Sequence, residues 1–483
     1  MDFLYGFISG HLVSFLATLF YFLLSAGCAV HILLRKEDIK GSISWLGIVF
    51  LSPFIGSVLY LFLGINRVRR KAVKLRKKGS ILEKYSRKEL EAFFENLPLH
   101  SKQFIVYGHS VYSQSFSAGN SVKPLLNGTQ AYPAMIECIK NAKKEVLVQS
   151  YIFDSDDETD KFIEAFKSAI GNGASVKVLV DGIGTLDFFR RSIEKKLKPV
   201  KGLEYGVFLP PQIPIALPFV NMRNHRKIMI IDGSTAFFGG MNLSKYNTLI
   251  NDKKKGVLDI TFKIQGPVID QLSQVFEEDW EFTTGTAMQS CSKDLPNVEA
   301  GRIPARVIPD GPDSERRKIE LLVHGTINAA TKKISVVTPY FLPESNILTA
   351  LEMSAMRGVE VEIIIPQISD HMIMNWAEEP NFRNLIKKGV KIYRTPPPFD
   401  HSKVLVVDNE LVYIGSANWD VRSFRLHFEC NMELLSRELA DELNIIIDKK
   451  KSIAEAVTLE QIENLHFLKR LRNNAFRLIT PYY

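Results

Sequence analysis

Charged side chains are absent from two long stretches near the start of the chain, residues 3–34 and residues 42–66. Each exceeds the roughly 20 apolar residues needed to cross a hydrocarbon core of about 30 Å. The break between them carries Arg35, Lys36, Glu37, Asp38 and Lys40. The pattern therefore predicts a hairpin of two transmembrane helices over residues 1–66. No basic segment precedes the first run and a second run follows it, which argues against a cleaved signal peptide. Pro53 and Gly56 are expected to kink or pack the second helix.

Further along, the hydrophobic period shortens. Apolar, largely β-branched runs at residues 146–151, 176–181 and 228–231 alternate with helical patterns, and the same order returns at residues 334–340, 359–366 and 404–407. A strand, a helix, a second strand and then a third, met twice, predicts an α/β fold of two α-β-α halves, each with its own mixed sheet. The halves are placed at residues 125–283 and 317–483, the second ending in a helical tail. Residues 284–316 hold four prolines and little periodicity, so they are expected to link the halves. Residues 67–124 are expected to form a basic collar and connector.

Charge sharpens the membrane reading. The chain has 61 Lys and Arg against 53 Asp and Glu, a net charge of +8. Residues 67–78 alone contain eight basic residues and no acidic one, so the remainder is balanced. A collar beside a predicted span favours anionic head groups and leaves no basic groove for nucleic acid. By the positive-inside tendency the collar, both termini and the globular body lie on the cytoplasmic side. Four scattered cysteines (Cys28, Cys138, Cys291, Cys430) show neither metal-ligand spacing nor a disulfide framework. Two proline-bearing apolar segments, residues 209–220 and 396–399, cannot be central strands, and they are expected at the mouth of a cleft facing lipid.

The chemistry sits at the start of the third strand of each half. His225, Lys227, Asp232, Gly239 and Asn242 recur as His401, Lys403, Asp408, Gly415 and Asn418 at identical offsets. One His-x-Lys-x4-Asp arises by chance with a probability of roughly a few per cent in a chain of this length; two with matching glycine and asparagine offsets indicate a duplication. Residues two apart on a strand share a face, so each histidine points with its lysine. An imidazole beside a fixed ammonium suits a phosphodiester: the ring attacks phosphorus or moves a proton, and the cation neutralises the non-bridging oxygens. Seven residues of extended chain is about 23 Å and reverses the face. On that ground Asp232 and Asp408 are structural residues of the turn into the next strand. The carboxylates expected to orient the rings are Asp259 and Glu429, each lying downstream in an apolar stretch of its half.

The paired motifs resemble those of the phospholipase D superfamily. The run from Arg223 to Lys227, with Gly-Ser-Ala-Asn-Trp-Asp-Val-Arg-Ser-Phe-Arg at 415–425, is similar to bacterial cardiolipin synthases. The resemblance implies two phospholipase D-like halves forming one active site, a covalent phosphohistidine, and no metal or other cofactor. It also counts Asp232 and Asp408 among the active-site residues. The implied reaction joins two phosphatidylglycerol molecules into cardiolipin with release of glycerol, at a bacterial cell membrane. His225 is the nucleophile on resemblance, while the symmetry of the repeat permits the reverse. Lys227, Lys403, Asn242 and Asn418 are expected on the phosphate oxygens, with a further hydrogen bond from Ser416. Hydrolytic phospholipase D and a phosphatidylserine-forming transferase remain open. A nuclease would need a basic cleft, and a non-catalytic scaffold would not need two complete motifs. Ser402, in place of a small apolar residue, and the polar residues 251–255 depart from the family pattern and bear on substrate preference.

Overall fold

The computed structural model describes residues 2–36, 39–64, 99–184, 193–210, 222–294, 299–312 and 317–479. The N-terminal helices and the α/β body are separate compact units. In the first, α1 spans Asp2–Arg35, α2 Ile39–Leu51 and α3 Pro53–Leu59, with a π-helical turn over Tyr60–Gly64. Ser14–Arg35 is long and apolar enough to cross a membrane. The second expected span is not one helix. At Ser52 the backbone leaves the helical region (φ −137°, ψ 80°), because Pro53 offers no N–H and restricts the residue before it. What remains uninterrupted, Gly41–Leu51, is too short to span at 1.5 Å per residue. Among the described residues, length and composition thus provide one span where two were expected. The broken limb packs on α1 around Cys28, Ile32, Trp45, Val49 and Tyr60. Ser25 donates to the Pro53 carbonyl (3.1 Å), and the Tyr60 hydroxyl lies 2.7 Å from His31 Nδ1. The collar at residues 67–78 and most of the apolar segment 209–220 lie outside the described residues.

The body opens with α4 (Leu99–Val111) and β1 (Ser117–Leu126), followed by α5 (Asn127–Lys140), β2 (Glu145–Ser150) and α6 (Asp157–Gly171). Next come β3 (Ser175–Asp181), α7 (Glu194–Leu197), β4 (Leu203–Phe208), β5 (Ile228–Ile231) and β6 (Thr235–Gly239). The first half closes with β7 (Val257–Leu258), β8 (Ile260–Gln265) and α8 (Val268–Thr284). The second half begins with β9 (Ile303–Asp310), α9 (Lys318–Ala329), β10 (Lys333–Val337), β11 (Phe341–Leu342) and α10 (Ser345–Met356). It continues through β12 (Glu360–Pro366), α11 (Met372–Lys387), β13 (Lys391–Thr395), β14 (Phe399–Asp400) and β15 (Val404–Val407). β16 (Leu411–Gly415), β17 (Trp419–Asp420), α12 (Val421–Arg425), β18 (Glu429–Leu435) and α13 (Arg437–Ser452) follow. Among the described residues the last elements are β19 (Glu455–Ala456), α14 (Leu459–Glu463) and α15 (Phe467–Ile479).

The halves do not keep a sheet each. They share one sheet of fifteen strands. From a central seam it runs β1-β8-β6-β5-β2-β3-β4 one way and β9-β18-β16-β15-β10-β12-β13-β19 the other. The seam is the antiparallel pair β1 and β9, with Ser117 opposite Ala305 and Asn120 opposite Ile303. Both seam strands fall in segments expected to be connections, 67–124 and 284–316. Prolines obscured β9: Pro304 sits between the paired Ile303 and Ala305, where the register to β1 shifts, and Pro309 lies beyond the end of the seam pairing. Alternation along the strands builds the cores. Ile228, Ile230, Val404 and Val406 face a core common to both halves, closed by α8 and α13. Met229 and Ile231 pack beneath α5 and α6, and Leu405 and Val407 beneath α9 and α10.

The motif aspartates belong to this framework. Asp232 and Asp408 take left-handed conformations (φ +50° and +53°) at the turns after β5 and β15, which short polar side chains tolerate. Asp232 accepts from the backbone N–H groups of Lys143, Lys144 and Glu145, at 2.7–3.1 Å. Asp408 accepts from those of Thr331, Lys332 and Lys333 and from the Thr331 hydroxyl, at 2.7–2.9 Å. Their carboxylates thus tie down the starts of β2 and β10, at the opposite end of the strand from the histidines, although the resemblance counts both among the active-site residues. Burial alone would raise the Asp408 carboxyl, but the amides of Lys333, Thr331 and Lys332 outweigh it and hold it below the usual range. Its contribution to stability is accordingly present above about pH 4 and is lost as pH falls through its lowered value. Asp408→Ala strands these donors, a loss of about 1–3 kcal/mol. Thermal unfolding should show a midpoint several degrees lower, while kcat/KM of the folded fraction stays within about tenfold.

Candidate active site

Each histidine is held by the half to which it does not belong. Ahead of β5, Asn224 bridges Phe428: His225 N–H donates to the Phe428 carbonyl (2.9 Å) and Phe428 N–H to the Arg223 carbonyl (2.8 Å). Ahead of β15, β14 runs parallel to β7, and His401 N–H donates to the Leu258 carbonyl (2.7 Å). In both places the next residue of the partner strand is a carboxylate. His225 Nδ1 lies 3.0 and 3.1 Å from the two oxygens of Glu429. His401 Nδ1 lies 2.8 Å from Asp259 Oδ2. Along the chain, Asp259 and Glu429 each follow the motif of their own half; in space each reaches the ring of the other.

A carboxylate at Nδ1 fixes the proton there and leaves Nε2 with its lone pair outward. Burial pushes the His225 ring down to about 3, against the pull of Glu429 and with the help of Lys227. Burial would raise Glu429, but His225 and His427 beside it hold it well below the usual carboxylate range. The pair is therefore a neutral imidazole on an anionic carboxylate at neutral pH. His401 is lowered as well, by burial first and then by Lys403. Lys227 Nζ donates to the His225 carbonyl (2.7 Å) and stands 5.4 Å from the centre of the Tyr151 ring. Lys403 Nζ donates to the His401 carbonyl (2.7 Å) and lies 3.1 Å from each nitrogen of its ring. Burial draws Lys227 well below its ordinary value, helped by Lys403 and opposed by Glu429 and Asp259, and it draws Lys403 down to about 8 against the pull of Asp259 and Glu429. Two poorly solvated basic side chains beside two imidazoles suit an anionic group, whose charge favours their protonated forms.

The remaining sequence candidates divide. Asn242 uses its side-chain oxygen to accept from Ile152 N–H (3.2 Å), whereas the Asn418 side-chain oxygen is buried without a hydrogen-bond partner. Ser416, expected on the phosphate, instead donates to Glu429 Oε2 and accepts from Cys430 N–H (2.9 Å). Its counterpart by offset is Gly240, where a Cβ would come within 3.1 Å of both Asp259 and Lys403. Glu429 thus has a hydroxyl donor that Asp259 lacks.

Two residues were not singled out in the sequence. Arg226, between His225 and Lys227, is fully buried. It pairs with Asp279 (2.7 and 2.8 Å) and donates through Nε to the Glu429 carbonyl (2.9 Å). The signal was available: an arginine two residues ahead of the apolar run Ile228–Ile231 must find partners inside. His427 has its ring centre 5.7 Å from that of His225, both its nitrogens lack a hydrogen-bond partner, and Nδ1 stands 3.7 Å from Glu429 Oε1. Among the described residues, His225, His427 and Glu429 are one group whose ligand atoms, all within 4.8 Å of one another, could hold a metal ion. Such an ion would take Glu429 away from the ring that it orients.

A family model described as "Cardiolipin synthase, PLD-like domain" matches residues 135–280 and 323–451, more than half of the chain and both histidine motifs. The chain belongs to this family. A second model, "Phospholipase_D-nuclease N-terminal", matches residues 23–64. A cardiolipin synthase of Clostridium perfringens is 30% identical over 463 residues, covering 93% of this chain and 95% of that protein. The major cardiolipin synthase of Bacillus subtilis is 30% identical over 484 residues, covering 97% and 99%. Among solved structures, a phosphatidylserine synthase of Haemophilus influenzae superposes with a TM-score of 0.61 at 15% identity, covering 79% of this chain and all of that one. That likeness extends to the fold alone.

For this member of the cardiolipin synthase family the crossed carboxylates yield a direct expectation. Glu429→Gln keeps the shape but removes the charge that steadies His225, so kcat should fall on the order of 10²–10⁴-fold. Turnover measured beside a circular dichroism spectrum of the folded variant checks it; near-normal kcat would exclude this pairing from the chemistry. The lysines predict the alkaline side of the pH profile. In free enzyme Lys403 loses its proton as pH rises through about 8, so kcat/KM on a short-chain lipid should decline above that pH. A profile flat to pH 10 would contradict it.

Proposed function

We propose that this chain is a phosphatidyltransferase that joins two phosphatidylglycerol molecules into cardiolipin and releases glycerol. The observation that carries this reading is the pair of imidazoles, each tied at Nδ1 to a carboxylate of the other half. In the first step His225 Nε2 attacks phosphorus, the bond from phosphorus to the head-group glycerol breaks, and His401 gives that oxygen its proton. The anionic phosphate raises the proton affinity of His401, and Asp259 stabilises the charged ring until the transfer. In the second step a head-group hydroxyl of another phosphatidylglycerol loses its proton to His401 and attacks phosphorus, and the bond to His225 breaks. Lys227 and Lys403 neutralise the non-bridging oxygens in both steps, and the side-chain amides of Asn242 and Asn418 donate to the same oxygens.

His225 is the better nucleophile of the two on its surroundings. Glu429 meets its ring with both oxygens and is itself held by Ser416, whereas Lys403 stands against both nitrogens of His401. The apolar helix Ser14–Arg35 and the N-terminal family match support membrane association. The basic residues 67–78 support contact with anionic lipid on the cytoplasmic face.

Purified enzyme given phosphatidylglycerol alone should form cardiolipin and free glycerol in equal amounts. Phosphatidic acid as the main product would replace transfer by hydrolysis, and a product formed only on adding serine would replace the acceptor. His401→Ala should accumulate labelled lipid phosphate on His225; label on no histidine would overturn the covalent route.

A further inference from the structure

The last helix is amphipathic and turned inside out. α15 packs against α11 through the side that carries its polar residues. Asn473 is buried and donates to Glu379, the Arg472 guanidinium lies 4.1 Å from the centre of the Trp376 ring, and Phe476 meets that ring at 5.2 Å. At 100° per residue, Phe467, Leu468, Leu471, Ala475 and Leu478 fall within about 100° on the opposite side. The four large ones among them are exposed, by 70%, 63%, 56% and 75%. The helix carries Lys469, Arg470, Arg472 and Arg477 and no acidic residue.

A soluble surface does not gain by presenting a continuous apolar stripe to water, since each such side chain forgoes the favourable transfer of its apolar area out of water. Cations flanking an apolar stripe are complementary to one environment in particular, the boundary between anionic head groups and acyl chains. The position on the body is informative too. His371, the N-cap residue of α11, has its ring 6.1 Å from that of Tyr340; Tyr340 stands 6.1 Å from Phe399, and Phe399 5.8 Å from His401. Trp376 and Glu379, which receive α15, lie in the first two turns of α11, close to this line of rings.

We propose that α15 is an interfacial anchor that lays Phe467, Leu471 and Leu478 into an anionic lipid surface and sets the His401 side of the site at that surface. Only the choice of an anionic lipid rests on the proposed reaction; the docking does not require turnover. The test uses the full chain carrying Leu471→Trp, reconstituted in phosphatidylglycerol vesicles with acyl chains brominated near the head group. Emission is compared with that of the unsubstituted protein, which carries the four native tryptophans in both samples. The added emission should be blue-shifted and quenched about twofold or more. Replacing Lys469, Arg470 and Arg477 with Gln, or raising salt, should weaken the quenching. Added emission that stays at the water-exposed wavelength and unquenched would overturn the proposal. So would a Leu471→Cys variant that cross-links rapidly to a second copy, because another protein chain would then cover the stripe. Loss of turnover with quenching intact would count against the proposed reaction and leave the anchor standing.

Discussion

Two short pieces of parallel backbone pairing decide whether this molecule has an active site. Where the chain approaches each motif, it bonds to the strand of the other half that ends in a carboxylate: His225 on Phe428, His401 on Leu258. The side chains that follow, Glu429 and Asp259, then have no choice but to meet the opposite ring. Backbone hydrogen bonds fix position within a few tenths of an ångström, and a carboxylate placed by backbone loses little entropy on engaging its imidazole. Neither half contains a complete histidine–carboxylate pair. The shared sheet makes this crossing possible, since β8 and β18, which carry or follow the carboxylates, flank the seam strands β1 and β9.

Much of this was legible in the chain. The offsets from His225 and His401, the β-branched runs behind them and the carboxylates Asp259 and Glu429 all rest on local pattern, and local pattern survives folding. What escaped depends on distant partners. Nothing near Asp259 says that its ring is 142 residues away, because parallel two-residue pairings carry no hydrophobic period. β9 was hidden by its prolines, and β1 by its polar surroundings, although both lie at the middle of the sheet. The second membrane run failed for the opposite reason: composition reports hydropathy faithfully but does not report that Pro53 divides the helix. For Asp232 and Asp408, strand geometry and family likeness pointed different ways, and the carboxylates bind backbone amides as strand geometry requires.

The electrostatics follow from the same enclosure. Rings and lysines this deep lose most of their hydration, so all four basic groups of the two motifs are displaced towards neutrality. Ionised carboxylates and the buried Arg226–Asp279 pair keep the cluster from collapsing into an uncharged pocket. A phosphodiester monoanion entering such a place favours the protonated forms of the groups around it. Binding and protonation are thus one event, and the energy of desolvation is spent before the substrate arrives.

The duplication is not perfect, and one of its differences lies beside the orienting carboxylates. Ser416 gives Glu429 a hydroxyl, while at the matching offset Gly240 gives Asp259 only a hydrogen atom and close packing. Two copies that began as equals therefore carry unequal counter-anions, and unequal counter-anions make unequal bases. A repeat whose copies exchange carboxylates can in this way give its two rings different surroundings on one scaffold.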